Sequence, residues 1–292
     1  MMQFPERVVE EAPGMRMYWD GYGALRRDLY TANGWTSQWL DFTIKNAEDW
    51  ARHRMRFDPS RVSEDAVRAE HASARAKNRF VCYTCHGCFH PTWMKIGMEN
   101  ELMLMLDRPE LIADMYAAHT ELAIDLYRAM RDMGLEFDGA RMADDLGYHS
   151  APLISPELYR ELVLPYHRRF CDFFAGEGLK TILHSDGNVA PLIDHFLDAG
   201  FTALHPLEAK AGLDVRKLKP LYGDRLVLFG NIDVRKLAGS REDVEEEIAE
   251  KVPVARENGR YIYHSDHSVP SDVPLENYRL AMKLLDPYGT YG

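Results

Sequence analysis

Polar residues of the types used in catalysis follow five short apolar runs in the second half of the chain. Histidine beside carboxylate recurs in three of these clusters, and such pairs serve general acid–base chemistry or bind a metal ion. The preference of Asp, Asn, Gly and Ser for turns explains each residue singly but not the recurrence. We therefore expect the clusters to form one functional face. In chain order they are Asp144-Asp145, His184-Ser185-Asp186-Gly187, His205-Pro206-Leu207-Glu208, Gly230-Asn231-Ile232-Asp233 and His264-Ser265-Asp266-His267.

The elements that position these clusters are predicted to alternate between strand and helix. Each apolar run has the length and composition of a buried strand, and helical segments closed by glycine separate the runs. Strand, helix and strand with short connections are typical of parallel crossovers and therefore of an α/β fold. In a parallel barrel the carboxyl ends of the strands share one face, so distant residues converge there. The predicted strands are 79–84, 137–144, 179–184, 201–205, 225–230 and 260–264.

Local signals mark several helix ends. Ser155-Pro156 has the residue types of an N-cap and a first helical position. Ser240 and Asp243 have the spacing of a capping box. Further upstream, residues 99–133 are predicted to form two helices separated at Asp107-Arg108-Pro109, because the residue before a proline disfavours the helical conformation.

Composition excludes some classes of partner. The chain has 292 residues, with 35 Lys and Arg against 46 Asp and Glu, and a formal net charge of −11. This acidic balance, without a long basic run, argues against a nucleic-acid partner. The opening segment MMQFPERVVEEAPG lacks the basic start and apolar run of a signal peptide, and no stretch reaches the ~20 apolar residues of a membrane span. We expect a cytoplasmic protein without a membrane partner.

Three segments resemble the uroporphyrinogen decarboxylase (URO-D) superfamily, which includes corrinoid (cobalamin) dependent methyltransferases. They are MADDLGYHSAPLISPELYRELVLPY, LKTILHSDGNVAPLIDHFLDAGFTALHPLEAKAGLDVRKLKPLYGDRLVLFGNID and GRYIYHSDHSVPSDVPLENY. The resemblance covers about residues 100–290 and implies a TIM-type (β/α)8 barrel. The upstream region that holds the family's first two strands is short or absent here. The resemblance therefore implies a barrel that is incomplete or modified at its amino-terminal strands, or an edge that another subunit covers.

The methyltransferase branch of this superfamily carries a zinc site of the form His-x-Cys followed later by Cys-x-Val-Pro. At the matching positions this chain has His184-Ser185-Asp186 and His267-Ser268-Val269-Pro270, so both thiolates are replaced. The resemblance implies a divalent metal held by His184, Asp186 and His267. Two imidazoles and one carboxylate suit Zn²⁺, and they suit Fe²⁺ or Mn²⁺ as well. If no metal binds, His267 is expected to bind a substrate carboxylate or to act as an acid.

Other residues of the clusters are candidates for catalysis. Asp145, or its neighbour Asp144, is a candidate general acid or base. Glu208 is a candidate further ligand or proton relay, and Tyr148 is a candidate for orienting a substrate oxygen. Each of them has an alternative role as a capping or supporting residue. Together with His267, residues Asp145, Tyr148 and Glu208 form the predicted catalytic set.

The resemblance implies an enzyme, and it leaves two activities open. The first is a methyltransferase (demethylase) that moves a methyl group from a small O- or N-methyl substrate to a corrinoid on a partner protein, with a metal polarising the heteroatom. The alternative is a carboxy-lyase, a decarboxylase of a small carboxylated substrate. True uroporphyrinogen decarboxylases open with an arginine-rich motif of the type PVWxMRQAGR, which does not occur before residue 80. Uroporphyrinogen is therefore a poor substrate candidate. A third interpretation is that the chain is a binding module without catalytic activity.

Three of the four cysteines lie close together in the segment CYTCHGC, residues 82–88. Their spacing formally matches a haem attachment site, and it also fits an iron–sulfur or zinc site. Haem attachment requires an exported chain, and a metal cluster needs a fourth ligand from His86, His90 or Cys171. Because the segment follows a predicted strand, thiols that line a pocket are the favoured interpretation.

Residues 1–60 differ in character from residues 61–292. Most of the tryptophans lie there, among aromatic residues in an alternating pattern that predicts extended structure. We expect this segment to form a lid over an aromatic ligand or a homodimer surface, since aromatic residues are enriched at interfaces. Residues 61–292 are expected to form the URO-D-like barrel domain. The tryptophans of the first segment are Trp19, Trp35, Trp39 and Trp50.

Overall fold

The computed structural model describes residues 4–31, 34–54 and 64–289, and the chain divides into two compact units. The first unit comprises the residues up to Asp138 together with Glu161–Phe173. The second unit comprises Gly139–Arg160 and the residues from Phe174 onward. The predicted boundary at residue 60 lies outside the described residues, so the division into residues 1–60 and 61–292 stays a prediction.

A four-stranded antiparallel sheet opens the first unit. Its strands are β1 (Arg7–Ala12), β2 (Met15–Trp19), β3 (Ala24–Thr31) and β4 (Gly34–Phe42). They pair in chain order, and every pair is antiparallel. Gly14 turns the chain between β1 and β2 with a φ of 76°, a conformation that glycine adopts without strain. The extended structure predicted from the aromatic alternation is thus a meander of four strands.

The rest of the first unit is mainly helical. Its elements are α1 (Ala47–Arg54), α2 (Glu64–Ala76), β5 (Cys82–His86), α3 (Phe89–Ile96), α4 (Met98–Asp107) and α5 (Pro109–Asp132). The two helices predicted within residues 99–133 are confirmed, and Arg108 separates them with an extended φ of −142° immediately before Pro109. Helix α5 buries one face, which includes Ile112 and Tyr116. Strand β5 begins at Cys82, later than the predicted start at residue 79.

A parallel sheet forms the centre of the second unit. Its strands are β6 (Gly139–Ala143), β7 (Lys180–His184), β8 (Ala203–His205), β9 (Val227–Phe229) and β10 (Tyr261–Ile262). They lie side by side in chain order, and each pair is parallel. Ala143 is paired with His184, and His184 is paired with His205. The carboxyl ends of three neighbouring strands therefore lie level with one another, as the sequence predicted.

Helical segments follow each of these strands, and the segment after the last strand is the carboxy-terminal helix. Ser155 caps the helical run after β6 by accepting a hydrogen bond from the amide of Leu158 at 3.2 Å. Ser240 and Asp243 form the predicted capping box. The segments are α6 (Pro156–Leu158), a π-helical turn (Tyr159–Val163), α7 (Leu164–Gly176), α8 (Ile193–Ala199), α9 (Val215–Tyr222), α10 (Val234–Leu237), α11 (Arg241–Arg256) and α12 (Leu275–Gly289).

The parallel sheet is not closed into a barrel within the part of the chain that the structure describes. On the side away from β9, no described strand pairs with β10. The predicted class, an α/β fold of barrel type with an incomplete or modified barrel, is confirmed. Among the described helices, none has both the length and the apolar composition needed to cross a bilayer.

Candidate functional site

Three predicted site residues come together at the carboxyl ends of β6 and β7. Asp145, His184 and Asp186 each place a potential ligand atom within 4.8 Å of the other two. His184 Nε2 lies 3.7 Å from Asp145 Oδ1 and 3.8 Å from Asp186 Oδ2. We call Asp145, His184 and Asp186 the carboxylate–imidazole cluster. Its atoms are close enough to enclose one small cation or one proton donor of a substrate.

The backbone positions the cluster by joining the two strand ends. The amide of Asp144 donates to the carbonyl of His184 at 2.9 Å, which continues the strand pairing by one residue. The amide of Asp186 donates to Asp145 Oδ1 at 3.2 Å, and the amide of Leu146 donates to Ser185 Oγ at 2.9 Å. These contacts hold the two carboxylates on the same side of the sheet end as His184.

Two glycines allow the loops after β6 and β7 to cross in contact. A Cβ on Gly147 would lie 2.3 Å from the carbonyl oxygen of Asp186, and a Cβ on Gly187 would lie 2.4 Å from the carbonyl carbon of Gly147. Gly187 also has a φ of 80°. Both positions therefore require glycine, because any side chain would push the backbone of Asp186 away from Asp145.

Glu208 supports the same loop from the end of β8. The residue is 6% exposed, and its Oε2 accepts a hydrogen bond from the amide of Gly187 at 2.7 Å. Its other oxygen, Oε1, lies 2.7 Å from Nζ of Lys210. Glu208 thus adds a third carboxylate beside the carboxylate–imidazole cluster, and the sequence predicted this residue as part of the site.

The electrostatics of the cluster centre on Asp186. Burial, followed by the charges of Asp145 and Glu208, raises the pKa of Asp186 to about 6, while His267 and Lys210 act in the opposite direction. Asp186 Oδ1 is buried and has no hydrogen-bond partner among the described residues. A buried carboxylate oxygen without a partner, beside two further carboxylates and an imidazole, is a donor set that fits a divalent cation.

His205 contacts the far side of the His184 ring. The Nδ1 atoms of the two rings are 2.7 Å apart, and His205 is 8% exposed. Burial, then the charges of His184, His264 and Arg141, lowers the pKa of His205 to about 3, so this ring is neutral over the ordinary pH range. The rings of Phe229 and His264 pack against His205 with centroids at 4.6 and 4.8 Å. The sequence placed His205 at a strand end but assigned it no role.

The remaining predicted residues lie farther from the centre. His267 is exposed and is not part of the group of ligand atoms within 4.8 Å, although its charge acts on Asp186. Tyr148 is 66% exposed, and its backbone carbonyl accepts from the amide of Asn188 at 2.7 Å. Asp144 is fully buried. The structure therefore unites Asp145, His184 and Asp186, with Glu208 beside them.

Two buried side chains hold the later loops in place. Asp266 is fully buried and accepts hydrogen bonds from the amides of Ala209 and Val234, both at 3.0 Å. Asn231 has a φ of 84° and donates through Nδ2 to the carbonyl of Leu207 at 2.6 Å. The sequence identified both residues only as strand-end polar residues. Their partners lie on other loops, so spacing along the chain carries no signal for these contacts.

The cysteines of residues 82–88 do not form a shared site in the part of the chain described. Cys82, Cys85 and Cys88 are not in disulfide bonds, and the last two of them are buried. No group of three or more potential ligand atoms within 4.8 Å unites these three residues among those described. Cys82 and Cys85 lie on β5, where side chains three positions apart point to opposite faces.

Comparison with known sequences finds similarity to the uroporphyrinogen decarboxylase family. The family model "Uroporphyrinogen decarboxylase (URO-D)" matches residues 87–288. The uroporphyrinogen decarboxylase of Syntrophotalea carbinolica is 24% identical over 178 residues, covering 60% of this chain and 48% of that protein. The one of Pseudoalteromonas atlantica is 23% identical over 143 residues, covering 47% of this chain and 38% of that protein. The chain thus spans about half, or less, of the length of these curated relatives.

Comparison with solved structures supports the fold. A methyltransferase from Methanosarcina mazei is similar to this chain with a TM-score of 0.67 and 19% sequence identity. The likeness covers 92% of this chain and 77% of that protein. At this level of identity the similarity shows a shared fold.

Proposed function

The chain belongs to the uroporphyrinogen decarboxylase family, and from that membership we propose that it is a methyltransferase. The proposed reaction removes a methyl group from a small O- or N-methylated compound and transfers it to a corrinoid carried by a partner protein. The structural relative from Methanosarcina mazei is a methyltransferase, and this supports the same class of reaction here. The absence of an arginine-rich motif before residue 80 disfavours uroporphyrinogen itself as substrate.

The observation that carries the proposal is the carboxylate–imidazole cluster. Its members Asp145, His184 and Asp186 converge within 4.8 Å, and Asp186 contributes a buried oxygen without a hydrogen-bond partner among the described residues. Two of the three, His184 and Asp186, stand where the resemblance to the methyltransferase branch implies metal ligands. We propose that these residues bind a divalent metal and that His267 completes the set from the loop after β10.

The chemistry of the donors bears on the choice of metal. Carboxylate oxygens and an imidazole nitrogen are harder ligands than the thiolates they replace, so Zn²⁺ competes here with Fe²⁺ and Mn²⁺. When bound, the metal would supply Lewis acidity that polarises the methylated heteroatom. Asp186 holds a proton below about pH 6 and releases it above that pH, so its ionised carboxylate can bind a cation there.

The other residues have proposed roles in binding and proton transfer. Glu208 is the proposed proton relay, because Gly187 and Lys210 hold its two oxygens and its charge acts on Asp186. Tyr148, with an exposed ring, is proposed to orient a substrate oxygen. Asp145 is the proposed general acid or base whenever it does not bind the metal.

A decarboxylase of a small carboxylated compound is the second candidate, and one observation favours it. A carboxyl group that keeps its proton up to about pH 6, as Asp186 does, is suited to protonate a carbanion. The positive charge of Lys210 acts on Asp186, and it could also attract an anionic substrate. This reaction needs no metal. Metal content therefore separates the two candidates.

The first experiment measures metal in the purified protein by mass spectrometry, with Asp186→Ala and His184→Ala as test variants. Asp224→Ala is the control, because this carboxylate is 83% exposed and remote in sequence from the cluster. We expect a stoichiometric metal in the wild type and the control, and its loss in both test variants. Equal metal content in all four proteins would place the ion elsewhere, and a metal-free wild type would favour the decarboxylase.

The second experiment tests methyl transfer itself. The metal-loaded protein is incubated with small O- and N-methylated compounds and with free reduced cobalamin as the acceptor. Methylation of the cobalt is followed through the visible spectrum, and demethylated product by mass spectrometry. Release of carbon dioxide from small carboxylic acids, without methylation of cobalamin, would replace the proposal with the decarboxylase.

A further inference from the structure

The contact between His184 and His205 restricts which nitrogen of His184 can face the carboxylates. Nδ1 of His184 lies 2.7 Å from Nδ1 of His205, within hydrogen-bond distance. The opposite nitrogen, Nε2, lies 3.7 Å from Asp145 Oδ1 and 3.8 Å from Asp186 Oδ2. One edge of the His184 ring therefore contacts the buried ring of His205, and the other edge faces the carboxylates of the cluster.

A hydrogen bond between two neutral imidazoles contains a single hydrogen, so one ring donates and the other accepts. If Nδ1 of His184 donates, its Nε2 carries no hydrogen and presents a lone pair to the cluster. If Nδ1 of His205 donates, Nε2 of His184 carries the hydrogen and cannot bind a cation. The direction of this one hydrogen bond thus decides whether His184 can act as a metal ligand.

We propose that His205 is a positioning residue that accepts the hydrogen bond from His184 Nδ1–H when a metal is bound and so keeps Nε2 available to the metal. This inference rests on the metal centre of the proposed function. Histidines that bind a metal commonly donate a hydrogen bond from the N–H of their other ring nitrogen to a carboxylate or a carbonyl, and here a buried imidazole is the acceptor. No assignment from the sequence gave His205 a function.

The surroundings of His205 suit this role. The strand register pairs His184 with His205 directly, so the two rings meet on neighbouring strands without any loop between them. Phe229 and His264 pack against His205 with ring centroids at 4.6 and 4.8 Å and inclined at 68° and 66°. Nδ1 of His264 is itself 2.6 Å from the carbonyl of Ser265, which fixes that ring in turn. The rings of Phe229 and His264 therefore restrict the orientation of the acceptor ring.

The test uses two substitutions of nearly equal shape. The amide oxygen of Asn takes the position of the histidine Nδ1 and accepts a hydrogen bond, whereas Leu has the same branching and accepts none. We would therefore compare His205→Asn and His205→Leu with the wild type. The affinity of the metal-free protein for Zn²⁺ is measured by competition with a chelator, and thermal melting checks that each variant is folded.

The expected result is a loss of about 10- to 100-fold in Zn²⁺ affinity for His205→Leu and an affinity within a few-fold of wild type for His205→Asn. Nitrogen-15 NMR of the Zn²⁺-bound wild type should show His184 protonated on Nδ1 and metal-bound through Nε2. Unchanged affinity in both variants, or an equal loss in both, would overturn the positioning role. A wild type that binds no Zn²⁺, Fe²⁺ or Mn²⁺ would instead overturn the metal centre of the proposed function, and this inference with it.

Discussion

The carboxylate of Asp28 in the first unit and that of Asp186 in the second unit lie among opposite kinds of neighbour. Asp28 is 4% exposed and accepts hydrogen bonds from Tyr18 Oη at 3.0 Å, from Arg26 at 3.2 Å and from Ser37. Asp186 faces the carboxylates of Asp145 and Glu208, and one of its own oxygens has no partner among the described residues.

The difference separates a carboxylate that the fold satisfies from a carboxylate at the proposed functional site. Around Asp28, the donors satisfy the carboxylate, and the group is complete without any further molecule. Around Asp186, repulsion between neighbouring carboxylates lowers the stability of the folded state unless a cation or a proton neutralises the charge. Stability given up at one place in a fold commonly marks the site of function.

The largest effect is expected at the crossing of the two loops that carry the cluster. Gly187→Ala places a Cβ 2.4 Å from the backbone of Gly147 at a φ of 80°, so we expect a loss of more than about 4 kcal/mol or failure to fold. Gly134→Ala in the first unit is the control, because Gly134 has the same φ of 80° with no atom within 4 Å of its Cβ. The control should lose only about 1–2 kcal/mol, the cost of the backbone conformation.

Urea unfolding at equilibrium measures both glycine variants. If the two variants lost the same free energy, the loop crossing would impose no constraint beyond φ. The carboxylate–imidazole cluster would then have more backbone freedom than the structure indicates.

The second-largest effect is expected for Asp28, the carboxylate of the first unit whose hydrogen bonds are satisfied within the fold. Asp28→Asn removes the charge that faces Arg26, whose side chain is only 15% exposed, and should destabilise the protein by about 2–3 kcal/mol. Asp41→Asn is the control, since the ion pair of Asp41 with Lys45 is exposed, and it should change stability by less than about 0.5 kcal/mol. Equal small effects of both substitutions, measured by urea unfolding, would remove the contrast with Asp186.

The third effect is a dependence of metal affinity on pH. Because the pKa of Asp186 is about 6, a proton competes with the metal below that pH, and affinity should fall by up to about tenfold per pH unit there. Above about pH 6 the contribution of Asp186 to this slope should vanish. Chelator competition at several pH values measures the slope, and Asp186→Asn should bind more weakly but with a flatter dependence. An unchanged slope in Asp186→Asn would show that another group carries it.

The smallest effect has the opposite sign to that of Asp28. The folded state raises the pKa of Asp186 from an ordinary 3.8 to about 6, so ionisation of this group lowers stability as pH rises between these values. Asp186→Asn should therefore stabilise the metal-free protein at pH 8 by about 1 kcal/mol, a value reduced for the partial exposure of the side chain. Below about pH 4 this gain should disappear. Destabilisation at pH 8 would mean that Asp186 supports the fold as Asp28 does.

Much of the fold could be predicted because its signals are local. Apolar runs, glycine stops and the caps at Ser155 and Ser240 each depend on a few neighbouring residues, and the structure confirms the strands and helices that they mark. The four-stranded sheet of the first unit was anticipated only as extended structure. Which strands pair, and in what number, depends on contacts between segments that periodicity does not contain.

For the candidate site, the sequence could predict which residues lie at the strand ends but not how their side chains contact one another. Strand-end position identified Asp145, His184, Asp186 and Glu208, because parallel strands bring their carboxyl ends together. The partnership of His184 with His205 depends on the register of β7 with β8, which is a property of the folded sheet. Residue types alone could not show that one histidine would present its Nδ1 to the other.

The buried carboxylate of Asp266 has a consequence for engineering this protein. Its two oxygens bind the backbone of the loops after β8 and β9, so three loops share one restraint. A loop transplanted alone from a relative would break hydrogen bonds that the other two need. Altering substrate preference by loop exchange should therefore succeed when the three loops are moved as a set, and fail when they are moved one at a time.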